Sequence, residues 1–433
     1  MTDSKQLGFA TRSVHAGTQP DPATGARQTP IYQTTSFVFR DAEHAAKLFS
    51  LQEVGYIYSR LTNPTVAALQ DRCASLEGGV GAVAASSGHA VQILALFPMM
   101  APGRNIVAAD KLYGGSINQF SKAFKRFGWG VTFVDFDDAD AIKAAIDDDT
   151  RALFCESLAN PGGVVTDLQS VSAVAKDHGL PLIVDNTMAT AALCRPLEHG
   201  ASQVVCSTTK FLSGNGTSIG GVVVDGGAFD WGASGKYPSL TDPADEYHGL
   251  KFHEALGPMA YTFHNIAVGL RDLGAAMAPQ NAFYTLLGIE TLGLRMKRHS
   301  ETALKVAEFL EGHAAVDYVS YAGLPSSPYH ANAKKYLPDG AGAVFTIGLK
   351  GGYDAGVKLV DSLELFSHLA NIGDARSLVI HSASTTHSQL SDEEKVAAGA
   401  GPEVVRLSIG LEDADDLCAD LDKALGAKAL GAA

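Results

Sequence analysis

The sequence predicts an α/β protein with a mostly parallel central sheet, followed by a smaller C-terminal α+β domain. From about residue 65, apolar strand-like runs alternate with helical patterns, which is typical of a sheet covered by helices on both faces. Near Pro279 this alternation gives way to a long amphipathic stretch and then to short strand patterns. The 433 residues suffice for two or three domains.

The elements of the larger domain begin with a helix over "PTVAALQDRCASLEGG", which ends at Gly78. The strand-like runs are "GAVAASSG", "NIVAAD", "VTFVDF", "RALFCES", "LPLIVDN" and "QVVCST", and "HAVQILALFPMM" predicts a helix after the first. Beyond Pro279, "NAFYTLLGIETLGLRMKRHSETALKVAEFLEGH" predicts one long helix or two abutting helices. Four further strands are predicted at "VDYVSYAG", "GAVFTIGL", "SLVIHSA" and "VVRLSIG", with helices at 353–363 and 412–425.

The N-terminal segment, up to about residue 62, is rich in Thr, Gln, Pro and Tyr and has little periodicity. This composition favours an extended arm that lies on another surface, such as a second subunit. We therefore expect an arm over 1–65, a cofactor-binding domain over 66–280 and a C-terminal domain over 281–433.

The overall charge limits the classes of partner. Lys and Arg total 33 against 47 Asp and Glu, and the net charge of −14 disfavours nucleic acid and anionic membranes as partners.

No apolar run has the length of a membrane span, and the N-terminus lacks the pattern of an export signal. The five scattered cysteines favour reduced, buried thiols, and His381 and His387 lack a metal-ligand spacing. We expect a soluble cytoplasmic protein without a metal.

One lysine stands where a lysine is unusual. Residues 201–225, "ASQVVCSTTKFLSGNGTSIGGVVVD", predict two buried strands joined by a turn that contains Lys210. A lysine beside a core strand loses hydration. It extends to solvent, pairs with a carboxylate or binds a cofactor, and the spacing alone leaves these alternatives open.

Polar residues end several of the predicted strands, at the sheet edge where ligands gather in such folds. Ser87 and Gly88 precede a helix, whose free N–H groups and positive dipole suit a phosphate. Asp185 and Glu156 end two other strands, and Lys210 follows a third. Helix capping is the alternative explanation for the serine and for each acid.

Together these groups match the needs of pyridoxal 5'-phosphate (PLP). Its phosphate requires N–H groups and hydroxyls, its ring nitrogen a carboxylate, and its aldehyde a lysine. The glycines of "SGNGTSIGG" follow a lysine and open a strand, so they do not fit a dinucleotide loop. The chain also lacks the GxxxxGK[ST] and GxSxG motifs.

Six motifs, in order along the chain, resemble the Cys/Met-metabolism enzymes that use PLP. They are "YIYSRLTNPT" (56–65), "SSGHA" (86–90), "LYGGS" (112–116), "VDNT" (184–187), "STTKFLSG" (207–214) and "VVRLSIGLED" (404–413). The resemblance runs from about residue 8 to 426. It implies the aspartate-aminotransferase-like (type I) fold and PLP as cofactor.

The resemblance also implies roles for single residues. Lys210 would bind the PLP aldehyde, Asp185 would pair with the ring nitrogen and Tyr113 would stack on the ring; these three form the catalytic set. The implied phosphate-binding residues are Ser87, Gly88 and His89 through backbone N–H groups, Ser207 and Thr209 through hydroxyls, and Tyr58 and Arg60 from a neighbouring subunit. Arg406 would bind the substrate carboxylate, with Asn160 and Tyr58 nearby.

Each role has a structural alternative. In these alternatives, Tyr113 would be an ordinary core residue and Arg406 would form a surface ion pair. Tyr58 and Arg60 would belong to an arm that packs without a function. The position of Arg406 after two valines on a predicted strand disfavours the last of these.

Three features favour the sulfhydrylase members of the family. Methionine γ-lyases usually carry cysteine at Gly115, "NIGDARSLVIHSASTTHSQLS" (371–391) resembles the sulfhydrylase form, and the insertion over 226–262 is longer than in lyases. Ser382 and Asn215 depart from the usual Pro and His. The implied reaction is γ-replacement on an amino-acid ester, O-acetyl-L-homoserine, by sulfide, within methionine biosynthesis.

Two other functions are kept as alternatives. One is γ-elimination, as in methionine γ-lyases and cystathionine enzymes, and the other is a regulatory or storage protein without turnover. Intact Lys210, Asp185 and Arg406 argue against the regulatory alternative. The resemblance further implies a homo-oligomer, at least a dimer and usually a tetramer built from two active-site dimers.

Overall fold

A mostly parallel sheet forms the centre of the molecule. The computed structural model describes residues 7–160, 163–385, 388, 395 and 399–426. The strands of this sheet are β1 (Gly81–Ala85), β2 (Asn105–Ala109), β3 (Gly130–Val134), β4 (Thr150–Glu156), β5 (Leu182–Asp185), β6 (Gln203–Ser207) and β7 (Gly221–Asp225). Their order is β1-β7-β6-β5-β4-β2-β3, and only β7 runs antiparallel to its neighbours.

Helices cover both faces of this sheet, so its strands are continuous apolar runs; every residue of β4 is buried. The helices up to residue 273 are α1 (Phe9–His15), α2 (Ala42–Phe49), α3 (Pro64–Glu77), α4 (Gly88–Leu96), α5 (Gly114–Asn118), α6 (Ala139–Ala145), α7 (Leu168–Asp177), α8 (Thr190–Leu193), α9 (Pro238–Thr241), α10 (Phe252–Leu256), α11 (Ala260–His264) and α12 (Arg271–Leu273). Shorter 3-10 or π turns are Gln119–Ala123, Phe124–Phe127, Pro196–His199, Asp245–Tyr247, Gly257–Met259 and Asn265–Leu270.

The C-terminal part contains a second, smaller sheet. Its strands are β8 (Val316–Ser320), β9 (Val344–Leu349), β10 (Ser367–His368), β11 (Leu378–His381) and β12 (Val404–Ser408), in the order β10-β11-β12-β9-β8. Its helices are α13 (Pro279–Glu290), α14 (Leu292–Glu311), α15 (His330–Tyr336), α16 (Gly352–Ser362) and α17 (Ala414–Leu425), with a 3-10 turn at Ser382–Ser384. The long amphipathic stretch is thus two helices, which separate at Thr291.

The N-terminal segment differs from the extended arm expected from its composition. It contains two short helices, and α1 packs against α3, α13 and α14 of the same chain. Asp41 stabilises the start of α2 by accepting a hydrogen bond from the His44 backbone N–H at 2.7 Å. Helices of seven or eight residues carry too little periodicity to be recognised by pattern, and packing rather than propensity stabilises them.

Helix α3 shows why most sequence-predicted boundaries agree with the structure. Asn63 caps it by accepting from the Thr65 N–H at 3.0 Å, Pro64 occupies its first turn, and Gly78 ends it in a left-handed conformation with φ of 86°. Helix α4 is shorter than predicted, since it ends at Leu96 rather than near Met100. Among the described residues, every helix is too short or too polar to cross a bilayer.

Candidate active site

A cavity of about 240 Å³ lies at the carboxyl ends of the parallel strands, where the first sheet meets the loop before β11. The sequence-predicted residues that line it are Ser87, Gly88, His89, Tyr113, Asn160, Asp185, Ser207, Thr209, Lys210 and Arg406. Strand pairing explains this convergence, because parallel neighbours end at one edge and their loops face one another.

Lys210 follows β6 in the turn that leads back to β7, which holds its side chain against the cavity. Its Nζ donates a hydrogen bond to Asn371 Oδ1. Burial, and after it the positive charge of Arg406, lower the pKa of Lys210 to about 8. A larger share of Lys210 is therefore an uncharged, nucleophilic amine near neutral pH than in an ordinary lysine.

Asp185 ends β5, and its two oxygens are held separately. Oδ1 accepts from the Thr187 backbone N–H at 2.9 Å, and Oδ2 accepts from Gln92 Nε2 at 3.4 Å. Burial raises the pKa of Asp185. A buried carboxyl of this kind gains most from a cationic partner such as a protonated ring nitrogen.

The opposite end of the cavity has the features of an anion site. Ser87 caps α4 by accepting from the Ala90 N–H at 3.1 Å, which leaves the N–H groups of the first turn for another acceptor. A Cβ on Gly88 would lie 2.9 Å from the Ser207 Cβ, so only glycine permits these two loops to approach so closely. The Thr209 hydroxyl donates to the Gly220 carbonyl at 3.3 Å and accepts from the Gly220 N–H at 3.1 Å.

Tyr113 lies at the mouth of the cavity with 46% of its surface exposed, so one face of its ring is open to a ligand. The His89 ring is its aromatic neighbour, at 6.1 Å between centroids. A Cβ on Gly115 would lie 2.3 Å from the Tyr113 ring. The observed ring position therefore depends on the absence of a side chain at residue 115.

Arg406, on β12, brings the second sheet into the site. Its Nη1 donates to Asn160 Oδ1 and its Nη2 to the Asn371 carbonyl, both at 3.3 Å. Burial lowers the pKa of Arg406 to about 10. These two neutral acceptors leave its positive charge without a carboxylate among the hydrogen-bond partners that the structure gives it, as expected of a group that binds an anionic ligand.

Nine lining residues were not predicted as site residues, and the polar ones among them include Gln92, Glu156 and Asn371. For Glu156, the sequence predicts a place at this sheet edge with helix capping as the alternative; its two oxygens accept from the backbone N–H groups of Tyr113 at 2.6 Å and Asn160 at 3.1 Å. Burial and the nearby Asp185 carboxyl raise the pKa of Glu156. The sequence shows that Glu156 ends a strand. Its place beside Asp185 follows only from the order of the strands in the sheet, which the sequence pattern does not give.

Tyr58 and Arg60 do not line this cavity. They line a second one of about 760 Å³, where Arg60 donates to the Arg271 carbonyl and lies over the Tyr58 ring at 5.5 Å. Their expected reach into a neighbouring subunit stays a prediction.

The two histidines considered as metal ligands have different outcomes. His381 is buried, with Nδ1 3.0 Å from Ser384 Oγ and Nε2 2.8 Å from the Pro402 carbonyl, and His387 lies outside the described residues. Across 7–160, 163–385 and 399–426, no group of three or more His, Cys, Asp or Glu side chains is arranged to hold a metal.

The residues present fit PLP. Gly88 approaches Ser207 closely at the start of α4, and the Lys210 amine and Asp185 line the same cavity. Gln92 Oε1, buried against this cavity, has no hydrogen-bond partner among the described residues. An orphaned acceptor at this place is consistent with a polar ligand.

Comparison with known proteins gives the same result. The model of the Cys/Met metabolism PLP-dependent enzymes matches residues 10–426. The O-acetyl-L-homoserine sulfhydrylase of Leptospira meyeri is 50% identical over 96% of both chains, and O-acetyl-L-homoserine sulfhydrylase 1 of Thermus thermophilus is 49% identical over 97% of this chain and all of its own.

A solved structure extends the likeness to the fold. A Campylobacter jejuni protein, a candidate O-acetylhomoserine (thiol)-lyase that carries N'-pyridoxyl-lysine-5'-monophosphate, superposes with a TM-score of 0.94. It is 39% identical and covers 97% of this chain and 100% of its own. With the family model matching nearly the whole chain, this protein belongs to the Cys/Met metabolism PLP-dependent enzymes, and its cofactor is PLP.

Proposed function

We propose that the protein converts O-acetyl-L-homoserine and sulfide into L-homocysteine and acetate, a step of methionine biosynthesis. The carrying observation is that one cavity holds an amine of lowered pKa, Lys210, within reach of an arginine, Arg406, whose hydrogen-bond partners are neutral. An α-amino acid requires both groups, one for its Cα proton and one for its carboxylate. The two sulfhydrylases that resemble the chain over nearly its full length support the choice of substrate.

Bound at this site, PLP supplies an electron sink for negative charge at the substrate Cα. Asp185 would keep the ring nitrogen protonated, which the sink requires. Lys210, as the free amine, would take the Cα proton and then a Cβ proton. Acetate would leave Cγ, sulfide would add there, and protons would return to Cβ and Cα, so that the thiol replaces the ester.

The remaining residues bind and orient. Arg406 binds the substrate carboxylate in a bidentate arrangement, with Asn160 fixing its guanidinium. Tyr113 would stack on the cofactor ring. The start of α4, with Ser87, Gly88 and His89, would bind the phosphate together with Ser207 and Thr209. Each of these roles is part of the proposal.

We further propose that the active form is a homo-oligomer of cytoplasmic location, a tetramer of two active-site dimers. In it, Tyr58 and Arg60 reach the phosphate and substrate of the neighbouring subunit. The arm over 1–65, the PLP-binding domain over 66–280 and the C-terminal domain over 281–433 are its proposed units. Tyr58 and Arg60 line the second cavity and not the active-site cavity of their own chain, which is consistent with this arrangement.

The product of the purified, PLP-loaded protein tests the reaction. With O-acetyl-L-homoserine and sulfide, we expect homocysteine and acetate in equal amounts by mass spectrometry. Lys210→Ala should abolish turnover, because no other amine is proposed for the proton transfers. Parallel reactions with the succinyl and phospho esters show which leaving group is preferred.

Two results would contradict the proposal. If 2-oxobutanoate dominates at saturating sulfide, the enzyme is a γ-lyase. If neither product forms while Lys210 is bound to PLP, the protein binds the cofactor without turnover.

A further inference from the structure

Two carboxyl groups stand side by side at the centre of the site. Glu156 at the end of β4 pairs in register with Asp185 at the end of β5, so both side chains reach the same edge. Only 4% of Glu156 is exposed. Asp185 is the proposed partner of the PLP ring nitrogen, whereas the proposed reaction gives Glu156 no part.

The hydrogen bonds of Glu156 lead in two directions. Oε1 accepts from the Tyr113 N–H at 2.6 Å, at the turn where α5 begins. Oε2 accepts from the Asn160 N–H at 3.1 Å, in the loop after β4. One carboxyl group therefore joins two loops that are 47 residues apart in sequence (160 − 113).

Each of these two loops carries a different function of the site. Tyr113 supplies the ring that is open to the cavity, and Asn160 accepts a hydrogen bond from Arg406 Nη1 at 3.3 Å. The geometry of the cofactor face and that of the carboxylate clamp thus both depend on the position of Glu156.

A carboxylate suits this position better than any other side chain. Each of its two oxygens accepts from one backbone donor. A glutamine would turn its NH2 group toward one of them and lose that bond. An aspartate would keep both acceptors but, being one methylene shorter, could not reach both loops without backbone movement.

We propose that Glu156 is a positioning residue that sets Tyr113 and the Asn160–Arg406 pair relative to each other, and so links cofactor binding to substrate binding. This inference rests on the proposed function only in its statement about substrate binding.

The test compares Glu156→Gln with Asp420→Asn. Asp420 is a buried carboxylate that accepts from the backbone N–H groups of Glu364 and Leu365 at 2.9 to 3.2 Å and does not line the cavity. It therefore controls for the loss of a buried carboxylate that bridges backbone amides. PLP affinity of the apoprotein, amide hydrogen exchange at residues 113 and 160, and KM for O-acetyl-L-homoserine are measured for both.

For Glu156→Gln we expect PLP affinity to fall about tenfold, exchange to quicken at 113 and 160, and KM to rise about tenfold, because a buried donor loses its acceptor. Asp420→Asn should leave all three within about twofold. If both variants behave alike, or if exchange at 113 and 160 is unchanged, the positioning role is wrong.

The experiment separates this proposal from the reaction itself. PLP titration and hydrogen exchange use no substrate, so they decide the inference even if homocysteine is not the product. Should Glu156→Gln not fold, Glu156→Asp is measured in its place, and the same two outcomes decide.

Discussion

The environment of a single residue, Lys210, sets the pH at which the apoprotein takes up its cofactor. Only the uncharged amine attacks an aldehyde, and the pKa of Lys210 is lowered to about 8. We therefore expect the rate of PLP uptake to rise with pH and to reach half of its maximum near pH 8. Stopped-flow absorbance between pH 6.5 and 10 measures it.

A matched variant tests the cause of this shift. Arg406→Met removes the positive charge that is the second cause, while the burial persists, so the midpoint should move to higher pH. A wild-type midpoint near the ordinary lysine value of 10.5 would contradict the description of Lys210.

We expect Gly115 to be required for activity because it leaves room for the Tyr113 ring, and not because of its backbone conformation. The Cβ of Gly115→Ala would lie 2.3 to 3.0 Å from three atoms of the Tyr113 side chain, so the ring must move. We expect about a tenfold loss of kcat/KM with O-acetyl-L-homoserine and sulfide. At the end of α14, Gly312→Ala meets only ordinary contacts, 3.8 Å or more away, and should stay within about twofold. Equal activity of the two variants would show that Tyr113 does not need its present place.

Some site residues were predictable from the sequence and others were not, for a physical reason. Lys210, Asp185 and Ser87 can be recognised in the sequence, because each is a charged or capping residue at or just after the end of an apolar run. Glu156 and Asn371 act through partners distant in sequence, Tyr113 and Lys210 respectively, so their roles exist only once the strands are ordered. The resemblance to a family identified Tyr113 and Arg406, whose local patterns are ordinary.

Between elements, the turn after Lys210 is fastened to the junction of α13 and α14 by Arg295. Its Nη1 donates to the Phe211 carbonyl at 2.8 Å and its Nη2 to the Gly288 carbonyl at 2.7 Å. We expect Arg295→Ala to lower the free energy of unfolding by about 3 kcal/mol, since buried carbonyls lose a charged donor. Urea unfolding of the apoprotein measures it.

The control for Arg295 lies one turn along the same helix. Arg298 donates to Asp413 at 2.7 Å and to the Leu411 and Glu412 carbonyls. Because it is exposed, Arg298→Ala should cost less than about 1 kcal/mol. A loss for Arg295→Ala no greater than that of Arg298→Ala would mean that the turn is held by its backbone alone.

The strands that build the site were predicted from the sequence with small errors at their ends, because runs such as "RALFCES" are buried on both faces and bounded by polar residues. What the pattern did not provide is the order of the strands. Nor did it provide helices α1 and α2, whose stability comes from contacts with other parts of the fold and from a cap rather than from their own periodicity.

For the whole molecule, the proposed dimer makes a prediction about mixtures of inactive chains. If Arg60 serves the neighbouring site, Arg60→Ala and Lys210→Ala chains should each be inactive alone. Co-expressed, half of random dimers would be mixed and each would hold one intact site, which restores about a quarter of wild-type activity. Homocysteine formation by the purified mixture measures it. No recovery would show that Arg60 acts in its own chain or not at all.

The place of β7 between β1 and β6 also affects how the protein is made. In the first sheet, β1 is an edge strand whose partner is β7, with Gly81 opposite Asp225. During synthesis on the ribosome, β1 therefore has no strand partner within this sheet until β7 has left the exit tunnel. Exposed strand edges invite association between chains, so nascent chains paused before residue 221 should be the species that most need a chaperone.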